Sequence, residues 1–236
     1  MAPDALAVEV LPSADAVAAR AAELLAGYVA EDTAARGAVT LALSGGRTPR
    51  RMLERLAALE LPWDRLAVFQ VDERIAPLGH VDRNRTQASA ALAGLLMRHA
   101  ASFRWMPVED ADLDAAAHRY AEALRTAASS PAVLDTVHLG LGPDGHTASL
   151  FPGSPLVEES LRDVAVTEPH LGRRRMTLTL PVLNRARRIL WIVTGADKRA
   201  ALAGLVAGDA SVVGSRVRRV GALVLADADA AAELER

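Results

Sequence analysis

Six short apolar runs punctuate this sequence, at residues 39–43, 66–71, 103–108, 136–141, 189–194 and 222–225, and most lead through a turn into a stretch with helical spacing. Runs of that length, bounded by Gly, Pro, Asp or Ser, suit strands that are buried on both faces. Strands alternating with helices build a mostly parallel sheet with helices on both sides. The expected fold class is therefore α/β. Helices are predicted over 13–28, 86–100, 112–128, 197–207 and 227–234, the first opened by Ser13 and Asp15. Residues 175–180, RMTLTL, alternate in period two, which predicts a strand of another kind, at an edge or antiparallel. With no internal repeat, linker or low-complexity tract, residues 1–236 are expected to form one domain.

Composition narrows the function. A hydrophobic content of 51% supplies a sizeable core, and the net charge of −2 is spread over interspersed acids and bases, so no nucleic-acid partner is expected. There is no cysteine, which removes disulfides, thiol nucleophiles and cysteine metal sites together. No apolar run approaches the roughly 20 residues that span a bilayer, and Asp4 and Glu9 stand where a signal peptide would be basic, so no membrane partner and a cytoplasmic location are expected. The six histidines show no metal-ligand spacing, so no metal is expected. Lys198 is the only lysine, every other cation being arginine.

In an open α/β sheet the chemistry collects where strands end. Four such places carry suitable residues. The turn SGGRTP, Ser44 to Pro49, offers the amides of Gly45 and Gly46, the Thr48 hydroxyl and a helix N-terminus, which together suit an anion such as phosphate. Asp72 and Arg74, two apart, face the same side if their strand continues. The loop GLGPDGHTASLFPG, residues 140–153, presents Asp144 and His146. Its glycines at 140, 142 and 145 fit G-x-G-x-x-G, yet Pro152, Gly153 and Pro155 leave no room for the helix a dinucleotide site requires, and Asp144 would oppose a pyrophosphate. Lys198 stands in the first turn of its predicted helix, where a cation opposes the helix dipole unless an anion lies nearby. Among Arg173, Arg174 and Arg175, one could complete a phosphate site with it.

The order SGGRTP, DER, GLGPDGHTASLFPG, RMTLTLPVLN and VTGADKRAAL, over roughly residues 8–229, resembles the family of 6-phosphogluconolactonases and glucosamine-6-phosphate deaminases. The resemblance implies a Rossmann-like three-layer α/β/α sandwich and, on the lactonase side, hydrolysis of 6-phospho-D-glucono-1,5-lactone without a cofactor. It implies His146 as general base for water and Asp72 beside the sugar, orienting substrate or imidazole. Ser44, Gly45, Gly46, Thr48, Arg74, Asp144, Arg175 and Lys198 would bind the phosphorylated substrate, and Asn84 would shape the sugar pocket. The implied partner is a phosphorylated sugar lactone, acted on by a monomer or weak homo-oligomer. Imidazole chemistry agrees, since histidine ordinarily titrates near neutral pH and lactone opening needs a base for water. The chain departs from the family pattern at Arg83, where relatives often carry serine, and at Val213-Gly214, where they carry Pro-Ala. A deaminase would have a glutamate a few residues after the histidine, but 148–153 contains none and the first acid is Glu158. A non-catalytic sugar-phosphate sensor is the other alternative, against which Asp72 and His146 count.

Overall fold

The computed structural model describes residues 6–234. Its strands are β1 (Ala7–Leu11), β2 (Val39–Leu43), β3 (Leu66–Gln70), β4 (Asp72–Arg74), β5 (Phe103–Arg104), β6 (Thr136–Gly140), β7 (Val164–Val166), β8 (Arg175–Leu178), β9 (Arg188–Val193) and β10 (Ala222–Asp227). The helices are α1 (Ala14–Arg36), α2 (Arg47–Ala57), α3 (Asn84–Ala91), α4 (Ala93–His99), α5 (Leu113–Ala128), α6 (Leu180–Arg185) and α7 (Arg199–Ala207). Seven strands form one sheet in the order β1-β10-β9-β6-β2-β3-β5, with every pairing parallel. From β2 the chain steps outward to β3 and β5, then returns to lay β6 on the other side of β2. The C-terminal ends of β2 and β6 therefore flank the topological switch point, where open sheets leave a crevice.

The apolar runs are continuous because both faces are covered. Along β9, Ile189, Trp191 and Val193 belong to one core, while Leu190 and Ile192 belong to the other. The second core also holds Val17, Leu25, Met52 and Leu56 from α1 and α2, and the first holds Tyr120, Leu124, Leu202 and Leu205 from α5 and α7. This makes the three-layer α/β/α sandwich. A second, antiparallel sheet of order β4-β8-β7 packs Val164, Met176 and Leu178 into the first core.

Several element boundaries differ from expectation, each for a local reason. Helix α1 runs past residue 28 to Arg36, because nothing breaks it before Gly37, which caps it at φ 77°. Residues 86–100 form two helices, broken at Leu92 (φ −109°, ψ 13°), which is itself buried in the second core. The run 103–108 pairs only over Phe103–Arg104, since Met106 N–H donates to the Gln70 side chain and Pro107 has no N–H to offer. Residues 227–234 hold a short 3-10 turn rather than a helix. Residues 175–178 form an antiparallel strand, as period two suggested, but it is the centre of the small sheet and not an edge.

His138, on β6, is fully buried with Nδ1 accepting the Ser44 N–H at 3.2 Å, so its proton sits on Nε2. Burial pushes its pKa from 6.5 down to about 3. The unfolded chain thus binds a proton below pH 6.5 that the folded one refuses, and stability present above that value is lost as pH falls toward 3, by at most about 1.4 kcal/mol per pH unit. Thermal midpoints measured between pH 7 and pH 4 should decline more steeply for the wild type than for His138→Asn. Equal slopes would show that another group carries the dependence.

Candidate active site

The turn after β2 is tied to β6 itself by the Ser44 hydroxyl, which donates to the His138 carbonyl at 3.0 Å, and it shares a cavity with the loop that follows β6. Gly46 takes φ 130°, and α2 starts behind it at Arg47 with neither a capping side chain nor an acid in its first turn. Such a start leaves amide donors without a protein acceptor. The second loop closes on itself: Gly142 N–H donates to the His146 carbonyl at 2.8 Å, Gly145 N–H to the Gly142 carbonyl at 3.0 Å, and the Thr147 hydroxyl to the Gly140 carbonyl at 2.9 Å. No helix follows Gly145, in keeping with the exclusion of a dinucleotide fingerprint. A Cβ at Gly142 would stand 2.0 Å from His146 Nδ1, so glycine is what leaves the imidazole its place.

Between the loops is a cavity of about 270 Å³, lined by Ser44, Gly45, Gly46, Arg47, Thr48, Pro49, Asp72, Arg74, Asn84, Gly140, Leu141, Gly142, His146, Ala148, Arg175, Ile192, Thr194 and Lys198. Of the residues singled out from the sequence, all but Asp144 line it. Asp144 is turned instead to the imidazole, its Oδ1 2.5 Å from His146 Nδ1 and 3.2 Å from the His146 N–H. Partial burial works against the Asp144 charge, yet the hydrogen bond and charge of His146 prevail and hold its carboxyl below the usual range. With Nδ1 engaged, Nε2 is the ring nitrogen left for chemistry. Phe151 buttresses the ring, its centroid 4.8 Å from that of His146, and His170 stacks on Phe151 at 3.7 Å.

Asp72 does not reach the imidazole through any hydrogen bond in the structure. Its Oδ2 accepts from the Ser149 hydroxyl at 2.7 Å and its Oδ1 from Asn84 Nδ2 at 3.1 Å. The strand of residues 66–71 ends at Gln70 and does not continue in the large sheet: the chain leaves it there, and β4 pairs with β8 in the small one. Asp72 and Arg74 still share a face, and Arg74 lies opposite Arg175 in the register. Like charges directly opposite each other destabilise a sheet. Burial, and then the charge of Arg74, pull the Arg175 guanidinium below its ordinary value, with Asp72 and Asp144 acting the other way. Two cations held together at a cavity wall invite an anion.

Of the three consecutive arginines, only Arg175 lines this cavity. Arg173 pairs with Asp82 at 2.9 Å and Arg174 bonds the Thr167 carbonyl at 3.2 Å. Lys198 ends a 3-10 turn, Ala196–Lys198, and occupies the N-cap position of α7 rather than its first turn; its ammonium lies 3.1 Å from Asp197. Thr48 and Thr194 share a hydrogen bond of 2.8 Å at the cavity wall. Sequence reasoning did not single out Arg47, Ala148, Ser149 or Thr194. Arg47 lies within SGGRTP, Ala148 and Ser149 lie within GLGPDGHTASLFPG, and Thr194 marks a strand end like the others. Among the described residues no group of three or more His, Asp or Glu is placed to hold a metal ion, and no helix is long and apolar enough to cross a membrane.

A family model described as "Glucosamine-6-phosphate isomerases/6-phosphogluconolactonase" matches residues 12–223. The chain is 38% identical over 237 residues to a 6-phosphogluconolactonase of Nostoc, a match that covers 96% of this chain and 98% of the relative. Among solved structures, a 6-phosphogluconolactonase from Trypanosoma cruzi superposes with a TM-score of 0.87 at 24% identity, covering 99% of this chain and 98% of that one. A monomeric glucosamine-6-phosphate deaminase does so with 0.82 at 18% identity, covering 96% and 99%. At such identities the two structures speak to fold alone, a Rossmann-like α/β sandwich that serves both activities. The extent of the family match and the identity to the Nostoc relative settle membership: this chain belongs to the glucosamine-6-phosphate isomerase/6-phosphogluconolactonase family.

Proposed function

We propose that this chain hydrolyses 6-phospho-D-glucono-1,5-lactone to 6-phosphogluconate. The observation that carries this reading over deamination is the supply of acids. Asp72 is the one carboxylate among the described residues lining the cavity, and Glu158, the first acid after the histidine loop, is exposed and paired with Arg216. The proton transfers of ring opening and isomerisation would need a further carboxylate on that loop. Hydrolysis needs only a base for water, and the imidazole oriented by Asp144 supplies one.

In the proposed mechanism, His146 Nε2 takes a proton from water as its oxygen bonds to the lactone carbonyl carbon. The tetrahedral oxyanion then collapses, the bond to the ring oxygen breaks, and the imidazolium returns the proton to that oxygen. The phosphate anchors the substrate, held by Arg74, Arg175, Lys198, Thr48 and the Gly45 and Gly46 amides, so that the carbonyl meets the base in one orientation. The residues assigned to the base and to the phosphate anchor line one cavity, so the proposed chemistry needs no residue from a second copy, in keeping with a monomer or weak homo-oligomer.

The test is proton release from freshly made lactone at constant pH, with the spontaneous rate subtracted. The protein should accelerate release, a chelator should leave the rate unchanged, and glucosamine 6-phosphate should yield no ammonia. Ammonia at a comparable rate would overturn the reading in favour of a deaminase. Tight sugar-phosphate binding with neither activity would make the protein a sensor.

A further inference from the structure

Glu73 is the middle residue of β4, on the face opposite Asp72 and Arg74, and is fully buried. Its carboxylate accepts four hydrogen bonds. Oε1 takes the backbone N–H groups of Arg74 and Asn84, each at 2.8 Å, and Oε2 takes the Arg85 N–H at 2.8 Å and Gln70 Nε2 at 2.9 Å. Asn84 and Arg85 are the first two residues of α3, whose own N-cap residue, Arg83, offers no capping side-chain bond. Glu73 therefore caps α3 from a neighbouring strand, putting negative charge at the positive end of the helix. Arg83 is fully buried too, its Nε 3.5 Å from Glu73 Oε2 while Nη1 bonds Glu109. The position where this chain departs from the family pattern thus supplies the counter-charge.

Asn84 carries the effect into the cavity. Its Nδ2 donates to the Asp72 carbonyl at 2.9 Å and to Asp72 Oδ1 at 3.1 Å, and its Oδ1 accepts from Arg74 Nη1. The amide rests on the bare Cα of Gly45, where a Cβ would stand 1.9 Å from Oδ1. One side-chain conformation of Asn84 therefore touches all three groups, and its backbone is pinned by Glu73.

We propose that Glu73 is a positioning residue: by capping α3 it holds Asn84, and through Asn84 the Asp72 carboxylate and the Arg74 guanidinium, in their working geometry. The proposal rests on the lactonase reading for its kinetic consequence and on geometry alone for its structural one.

Glu73→Gln keeps the volume but puts an NH₂ donor where two donors now point, so Asn84 and Arg74 lose their shared anchor or Arg85 and Gln70 lose theirs. The folded variant is expected to lose about 10²-fold in kcat/KM, the scale on which small displacements act. Glu73→Asp, shorter by one methylene but still charged against Arg83, is the milder variant and should show a smaller loss in the same direction. A purely structural role would lower the thermal midpoint and leave kcat/KM per folded molecule untouched; that result in either variant overturns the proposal. A cycle with Asn84→Ala gives the sharper readout. If Glu73 acts through Asn84, the double variant is no worse than Asn84→Ala, whereas multiplying losses would place its action elsewhere. A crystal structure of the Gln or Asp variant decides independently of activity: a displaced Asn84 amide supports the proposal, and one still seated on Gly45 and Asp72 overturns it. An inactive wild-type protein would refute the lactonase reading alone.

Discussion

Replacement of His146 by alanine is expected to lower kcat for lactone hydrolysis by about 10²- to 10⁴-fold, the usual worth of a general base, with affinity for 6-phosphogluconate largely kept. The loop does not depend on the imidazole for its shape. Its closing bonds run from Gly142 N–H to the His146 carbonyl, from Gly145 N–H to Gly142 and from the Thr147 hydroxyl to Gly140, and alanine retains them all. Folding should therefore survive while the group facing the cavity disappears. Product affinity measured by calorimetry and turnover measured at constant pH separate the two effects. Near-normal turnover would remove His146 from the role of base, and lost product affinity would mean that the loop had collapsed. Because Asp144 is held below the usual carboxylate range, it stays charged across the neutral region, so the pH dependence there should not come from its titration.

Arg175→Ala and Lys198→Ala should each weaken binding of the phosphorylated lactone by about 10- to 10²-fold, since a hydrogen bond to a charged group is worth about 1.5–3 kcal/mol. Unphosphorylated glucono-1,5-lactone should bind each variant nearly as it binds the wild type. The motive is the placement of Arg175 opposite Arg74, a like-charge pair that an anion would relieve, and of the one lysine at the same cavity. Arg74 is a poorer probe, because it also donates to Asn84 and its loss would disturb Asp72. Equal losses for both lactones would show that these cations do not touch phosphate.

Much of this was readable from local chemistry. Alternating apolar runs and helices implied a parallel sheet, because a strand such as RILWIV has no polar face to give to water and must be covered twice. Gly45, Thr48, Asp72, Arg74, His146, Arg175 and Lys198 were visible because they sit where apolar runs stop or where the period-two run begins, whereas Asn84 was legible through the family resemblance alone. Helix ends were less legible. The break at Leu92 and the short pairing of Phe103–Arg104 answer to packing and to the Gln70 side chain, which lie far away in sequence.

The site's wiring belonged to tertiary structure altogether. Asp144 and His146 are two residues apart, so their neighbourhood was local, yet nothing in the sequence said that the carboxylate would face the imidazole and not the cavity. Asp72, meanwhile, reads as a partner for His146 until the fold gives its two oxygens to Ser149 and Asn84. Glu73 was not singled out from the sequence, and only the meeting of β4 with α3 makes it a buried cap. By itself the sequence determined the class of fold and the kinds of chemical group available, since periodicity and residue type act over a few neighbouring residues. Which group faces which was decided by the chain's return from β5 to β6 and its departure from the large sheet after Gln70, because hydrogen bonds and charges are satisfied by distance in space, and sequence separation does not measure that distance.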